Sequence, residues 1–365
     1  MKDKILVINP GSTSTKVALY DQTKQIAEAT IRHALEEINR FERIPDQKNF
    51  RKVLIENFLE TNHTRPEELQ AVVGRGGLLK PIPGGTYLVN EKMLADLEAE
   101  TYNTHASNLG AILAHEFAIE QNIPAYIVDP VVVDELEDIA RISGLKGINR
   151  RSVGHALNQK AVARQVLEEA GLTYEEGNVV VVHLGGGISM AAHKKGRMIE
   201  MINGLDGEGP YSPERTGTLP LIELATKMTK ENLTLPEVRK ILAGDGGIKS
   251  YLQETDIRLI EQRINEGDTK AKKYLDGMCY QIAKYIGYTA TVLKGETDYI
   301  ILTGGISYSK YVTNQIREYV EWIAEVKVIP GEKEMDALFE GAKRVLDGVE
   351  EVKQYDEVKQ REAIK

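Results

Sequence analysis

The sequence predicts an α/β protein made of two duplicated halves. Two observations carry that reading. Short apolar runs with strand character alternate with amphipathic helical stretches, and one strand–turn–strand motif occurs twice, about half a chain apart.

The apolar runs are Ile5–Ile8, Ala125–Val128, Val179–Val182 and Tyr299–Leu302. They favour β-branched residues and stop abruptly at polar or glycine positions, as buried strands do. Between the first two, segment 93–120 places Met93, Leu94, Leu97, Leu109, Ile112, Leu113 and Phe117 at helical spacing. Segment 268–294 does the same with Leu275, Met278, Ile282, Ile286 and Val292. The highly charged C-terminus is helical in pattern and is expected to return, as a helix over 336–365, to the first domain. The expected domains are therefore 1–150 plus that helix, and 151–335.

The repeat is the most informative feature. Around Asn9 the chain reads Ile5-Leu-Val-Ile-Asn-Pro-Gly-Ser-Thr-Ser-Thr-Lys16, and around His183 it reads Val179-Val-Val-Val-His-Leu-Gly-Gly-Gly-Ile-Ser189. Asn9 and His183 are 174 residues apart. The strand ending at Asp129 and the one ending at Thr303 stand at the same offset.

Composition narrows the class. The 365 residues carry 46 Lys and Arg against 55 Asp and Glu, a net charge of −9 that repels nucleic acid. No stretch approaches the ~20 uncharged apolar residues of a membrane helix. The start, Met1-Lys-Asp-Lys4 followed by Ile5–Ile8, reads as a strand and not a cleavable leader, so a cytoplasmic setting is expected. A single cysteine, Cys279, excludes an internal disulfide, and seven scattered histidines give no zinc pattern.

A tight Gly/Ser/Thr turn between strands exposes backbone N–H groups and hydroxyls on one side, and glycine lets the backbone approach a ligand. Two such hairpins facing one cleft would hold a polyphosphate from both sides, with Lys16 as a point charge beside it. No P-loop, no dinucleotide G-x-G-x-x-G and no G-x-S-x-G elbow is present. His105 and His115 do not share metal-ligand spacing and read as structural. Asp129, at a strand end before Pro130, suits either orientation of a metal-bound water or capping of a turn. Arg75 is flanked by Gly74, Gly76 and Gly77, which leaves its guanidinium room to approach a small anion. Arg215, in the Pro/Gly-rich loop 209–217, suits a clamp on transferring phosphate.

These residues resemble the acetokinase family, within the acetate and sugar kinase, actin and chaperone superfamily. Ile8–Lys16 is similar to its first signature and His183–Ser189 to its second phosphate loop. The likeness continues through Arg215–Gly217, Thr303–Gly305 and Ile329–Glu334. The resemblance implies duplicated ribonuclease-H-like (actin-like ATPase) domains with an interdomain cleft that closes to exclude water. It implies reversible, in-line ATP-dependent phosphorylation of a short carboxylic acid to an acyl phosphate, with Mg²⁺ and ATP as cofactors and a homo-oligomer, dimer or higher, as the assembly.

Carried over by position, Asn9 helps hold magnesium or its phosphate. Ser12, Ser14 and Lys16 line the first hairpin, and His183, Gly185 and Gly187 form the second phosphate loop. Gly304 and Gly305 lie on the adenosine side. Arg75 and Arg215 hold the carboxylate and the phosphoryl group in flight, and Asp129 positions the carboxylate or a magnesium water. Glu332 and Glu334 compete as the magnesium glutamate.

Two departures matter. Where acetate kinases carry two histidines four residues apart, this chain has Arg151 and His155. Where they carry valines after the substrate arginine, it has Gly76 and Gly77, which are expected to admit a longer acyl chain. That favours butyrate or a branched short-chain acid. An acetate or propionate kinase is the enzymatic alternative, and a non-catalytic actin-like ATP switch is the alternative from another class.

Overall fold

The computed structural model describes residues 2–359. In chain order the strands are β1 (Lys4–Pro10), β2 (Ser14–Tyr20), β3 (Gln25–Arg32), β4 (Leu69–Arg75), β5 (Thr86–Leu88) and β6 (Ala125–Val128). They continue with β7 (Asn178–Leu184), β8 (Ile188–Lys194), β9 (Arg197–Ile202), β10 (Tyr299–Gly304), β11 (Glu325–Pro330) and β12 (Lys353–Gln354). The helices are α1 (Leu35–Ile38), α2 (Lys48–Thr61), α3 (Glu91–Glu98), α4 (Asn108–Gln121), α5 (Ala156–Glu169) and α6 (Leu221–Glu231). After these come α7 (Leu235–Leu242), α8 (Gly247–Leu252), α9 (Ile257–Asn265), α10 (Thr269–Ala290), α11 (Lys310–Val320) and α12 (Glu334–Leu346).

The chain divides into two units, 1–134 with 333–364, and 135–332. Residues 135–150 belong with the second, where the Glu135 carboxylate pairs with buried Lys160 and accepts from the Met198 N–H. The stretch after residue 335 is not one long helix. α12 ends at Leu346, and β12 then pairs in parallel with β5. Residues 360–365 of the expected helix lie outside the described residues.

The first unit holds a seven-stranded sheet in the order β12-β5-β6-β4-β1-β2-β3. β1 to β3 form an antiparallel meander, and β4 and β6 add in parallel beyond β1. The second unit holds five strands in the order β11-β10-β7-β8-β9. There β7 to β9 form the meander, and β10 and β11 add in parallel beyond β7. The two patterns coincide, so the duplication read from the hairpins is real. The second sequence match is not its structural counterpart. β10 stands beside the first hairpin strand, as β4 does, so β6 corresponds to β11. Short apolar strands resemble one another too closely for an offset alone to pair them.

Position in the sheet explains the patterns. Central β7 is buried at all seven residues because both its faces are covered, whereas edge strand β3 is partly or fully exposed throughout. The expected helix over 93–120 is two, α3 and α4. Nearly apolar all round, α4 lies flat on β4 because Gly74 and Gly110 face each other. A Cβ on Gly74 would sit 2.0 Å from the Gly110 carbonyl oxygen. That close approach fixes the end of β4, which carries Arg75. In the second unit α10 opens with an Asp268 cap on the Ala271 N–H and lays Leu275, Met278, Ile282 and Ile286 into the core.

Candidate functional site

The first unit gathers four of the candidate residues. Asn9 and Lys16 are direct cross-strand partners in β1 and β2, so their side chains share a sheet face. Gly74 pairs with Ile8, which places Arg75 next to Asn9 in the neighbouring strand. Glu334, the first residue of α12, meets both: Asn9 Nδ2 donates to Glu334 Oε2 at 2.8 Å, and Arg75 Nη1 is bonded to Glu334 Oε1. The arginine is therefore engaged with a carboxylate rather than open on all sides.

Glycines 76 and 77 do not widen a pocket. A Cβ on Gly76 would lie 2.3 Å from Pro130 Cβ, and one on Gly77 2.5 Å from Asn108 Oδ1. The space released by the missing side chains is already filled, so the expected route to a longer acyl chain is not there.

Asp129 is buried at the end of β6 in the left-handed region, at φ 37°. Its Oδ1 accepts from the Gly85 N–H at 2.7 Å, and its own N–H donates to the Gly85 carbonyl at 3.1 Å. A left-handed non-glycine residue costs on the order of 1 kcal/mol or more, which these two bonds help offset. His105, set aside as structural in the sequence, stands near Arg75. The residue is exposed, but its part-buried Nδ1 bonds Ser107 Oγ, and burial followed by the Arg75 charge pushes the imidazole pKa down.

Ser12 is exposed at the tip of the first hairpin and Ser14 half-buried at its return. Behind that turn lies Arg51 of α2, fully buried, which the sequence reading missed. Its Nη1 donates to the carbonyls of Gly11 (2.9 Å) and Ser14 (3.0 Å) and to Thr15 Oγ1 (3.0 Å), and its Nη2 to the carbonyl of Ser12 (3.4 Å). Nothing in a helical arginine's sequence context distinguishes it from a solvated one.

The second unit holds the other cluster. His183, near the end of β7, is buried; its Nδ1 lies 3.0 Å from Asn158 Nδ2 and its Nε2 3.2 Å from Glu332 Oε1. Because an amide nitrogen can only donate, the proton of neutral His183 sits on Nε2, facing Glu332. His155 stacks on His183 with ring centroids 3.7 Å apart and planes 6° from parallel. Its Nδ1 bonds Ser189 Oγ, which in turn accepts from Gln159. So the His155–His183 pair comes together, with Asn158 and Gln159 as supports that no sequence signal marks. Arg151 does not join it: its guanidinium is 69% exposed and pairs with Asp206 at 2.6 Å. Arg150 is the inward arginine, bound to Glu200 and Glu208.

Arg215 reaches the second hairpin. Its Nη1 donates to the Gly204 carbonyl at 2.7 Å, and a Cβ on Gly187 would lie 2.0 Å from that nitrogen. Partial burial lowers its pKa. Gly304, at φ 89°, packs against the Leu184 backbone, where a Cβ would meet the carbonyl oxygen at 2.4 Å. Gly305 opens instead into a cavity of about 720 Å³ lined also by Gly186, Glu214, Arg258, Tyr308 and Lys310. Gly185 lies beside His183 Nε2.

The junction between units falls between the rival glutamates. Glu332 belongs to the second unit with His183, and Glu334 to the first with Asn9 and Arg75. Among the described residues no three His, Cys, Asp or Glu groups form a metal cage. No helix among the described residues is long and apolar enough to cross a membrane.

A duplicated α/β fold with a glycine hairpin in each half is one that small-molecule kinases use. The acetokinase family matches residues 127–332, and the chain belongs to it. It is 60% identical over 357 residues, 98% of this chain and 99% of the other, to a protein of Enterococcus faecalis described as a probable butyrate kinase. It is 51% identical to butyrate kinase 1 of Clostridium acetobutylicum, across 96% of this chain and 99% of that one. Acetate kinase of Porphyromonas gingivalis shares the fold with a TM-score of 0.76 at 19% identity, across 94% of this chain and all of that one.

Proposed function

We propose that this chain transfers the γ-phosphoryl group of ATP reversibly to the carboxylate of butyrate or a branched acid of similar size. Acetate and propionate are poorer acceptors. The observation that carries the reading is the Arg75–Glu334 pair beside Asn9 and Lys16. That setting, a guanidinium among cationic and amide donors, supports a carboxylate acceptor over a nucleotide switch. The identities to butyrate kinases support the choice of acid.

The chemistry needs no general base. A short carboxylic acid is ionised at neutral pH, and its oxygen can attack the γ-phosphorus directly. The barrier lies in bringing two anions together, so catalysis is positioning and charge neutralisation. Arg75 orients the acid, and Asp129, braced on Gly85, fixes the strand end beside it. The Ser12–Ser14 and Gly185–Gly187 hairpins cradle phosphate with backbone N–H groups, and Lys16 adds charge. The Nε2–H of His183 and the Arg215 guanidinium stabilise the transferring phosphoryl, with His155 holding the imidazole in place by stacking. Gly305, open to the cavity lined by Gly186 and Lys310, admits the adenosine, and Gly304 brings the turn against the Leu184 backbone. Magnesium supplies neutralisation of the phosphate charge when bound; Glu334, through a carboxylate oxygen, and Asn9, through its amide oxygen, are the residues that would hold it. Arg151 contributes to the surface around the second loop.

The proposed setting is the cytoplasm, where ATP is supplied. The proposed assembly is a homo-oligomer. The test is hydroxylamine trapping of acyl phosphate from ATP, magnesium and linear or branched acids of two to five carbons. Butyryl or isobutyryl hydroxamate should accumulate fastest. Equal or faster trapping of acetate would refute the acid assignment, and ATP hydrolysis without hydroxamate would refute the kinase.

A further inference from the structure

We propose that Arg51 is a positioning residue of the kinase, which aims the backbone amides of the first hairpin at phosphate by holding that hairpin's carbonyls from behind. The inference rests on reading the hairpin as a phosphate cradle and adds the device that sets its geometry.

The argument starts from the peptide bond. No cis peptide occurs among the described residues, so each C=O in the turn points opposite to the N–H of the next residue. One guanidinium takes the carbonyls of Gly11, Ser12 and Ser14. Drawing the first two inward turns the N–H groups of Ser12 and Thr13 outward. Both those residues are exposed, so their amides lie where an anion can reach them. Each hydroxyl of the turn can donate to one carbonyl at a time, whereas one guanidinium gathers three and holds their peptide planes together. Arg51 removes that freedom.

The clamp is itself fixed. Gln47 Oε1 accepts from Arg51 Nε at 3.1 Å and Nη2 at 2.8 Å, and Thr15 Oγ1, which accepts from Nη1, is also hydrogen-bonded to His33 Nε2 at 2.8 Å. Arg51 and Gln47 are buried, and no carboxylate partners the guanidinium in these bonds. An arginine whose burial is compensated by backbone carbonyls is there to shape a backbone. Burial lowers its pKa only to about 10, so it stays charged at neutral pH. Its positive charge adds to the field behind the cradle.

The test uses the full chain and three variants, Arg51→Met, Gln47→Leu and the conservative Arg51→Lys. Binding of magnesium with the non-hydrolysable β,γ-imido analogue of ATP is measured by calorimetry, beside binding of adenosine and the KM for butyrate. Melting is followed for each variant. Loss of aimed amides should weaken the imido analogue about tenfold or more in Arg51→Met, less in Gln47→Leu, and be partly restored in Arg51→Lys. Adenosine affinity and the butyrate KM should change by less than about twofold, a selectivity that a general loss of stability cannot produce. If Arg51→Met does not fold, Gln47→Leu decides. Lower melting with imido-analogue affinity within about twofold of wild type in the folded variants would overturn the inference. A wild-type chain that binds adenosine but not the imido analogue would instead overturn the phosphate-cradle reading beneath it.

Discussion

Replacing Gly187 by alanine should disable the second hairpin through Arg215 while leaving the fold intact. The new Cβ would stand 2.0 Å from Arg215 Nη1 and 2.2 Å from its Cζ, against an ordinary contact of 3.4 Å or more. The guanidinium must therefore retreat by about 1.4 Å. It can do so cheaply, as the end of a flexible side chain, losing the bond to Gly204 O for about 0.5–1.5 kcal/mol. Gly187 has no left-handed φ, so the backbone itself accepts alanine. A misplacement of that size at a transferring phosphoryl costs on the order of a hundredfold in kcat. Steady-state hydroxamate formation is the assay, with thermal melting as the control. Because the effect runs through Arg215, the Gly187→Ala, Arg215→Ala double variant should be no slower than Arg215→Ala alone. Full activity in Gly187→Ala, or multiplicative losses in the double variant, would refute the placement of Arg215 on the phosphoryl group.

Three more outcomes follow from the geometry. Arg75→Ala should raise the butyrate KM by roughly tenfold to a hundredfold with nucleotide affinity unchanged; a butyrate KM within about twofold of wild type would contradict that role. Glu334→Gln should raise the magnesium concentration needed for half activity about tenfold, and Glu332→Gln much less, so the reverse order would move the metal to the His183 side. Acid should destabilise the chain through buried imidazoles. Burial first, then the Arg51 charge, pushes His33 down to about 4, and burial pushes His193 well below its usual value. The unfolded chain then binds more protons, so stability present above pH ~6.5 is lost as pH falls toward 4, about 2 kcal/mol by pH 5 from His33 alone. Denaturant titrations at pH 7.5 and 5 measure it, and a His33→Gln variant that loses as much stability as wild type would contradict it.

What the sequence disclosed was mainly local. The Ile5–Ile8 and Val179–Val182 runs announce central strands because a strand covered on both faces must be apolar throughout. The twin hairpins were visible because Gly, Ser and Thr residues mark tight turns between apolar strands. Long-range partners were hidden. Nothing near Arg75 points to Glu334, some 260 residues away, and nothing in α2 marks Arg51 as buried beneath Gly11 and Ser14. Gly76 and Gly77 misled for the same reason. A missing side chain can leave room for a ligand or for a neighbour, and only the fold shows that Pro130 and Asn108 take it. The C-terminal charge pattern suited a helix, but the chain after Leu346 pairs with β5 instead.

The central claim is that a carboxylate oxygen, held by Arg75 and activated by no base, attacks the γ-phosphorus itself. Butyrate labelled with ¹⁸O in both oxygens, incubated with ATP and magnesium and trapped with hydroxylamine at the acyl carbon, tests it directly. The account predicts inorganic phosphate carrying one ¹⁸O atom, delivered from the acid through the acyl phosphate bridge. Unlabelled phosphate formed alongside hydroxamate would contradict it.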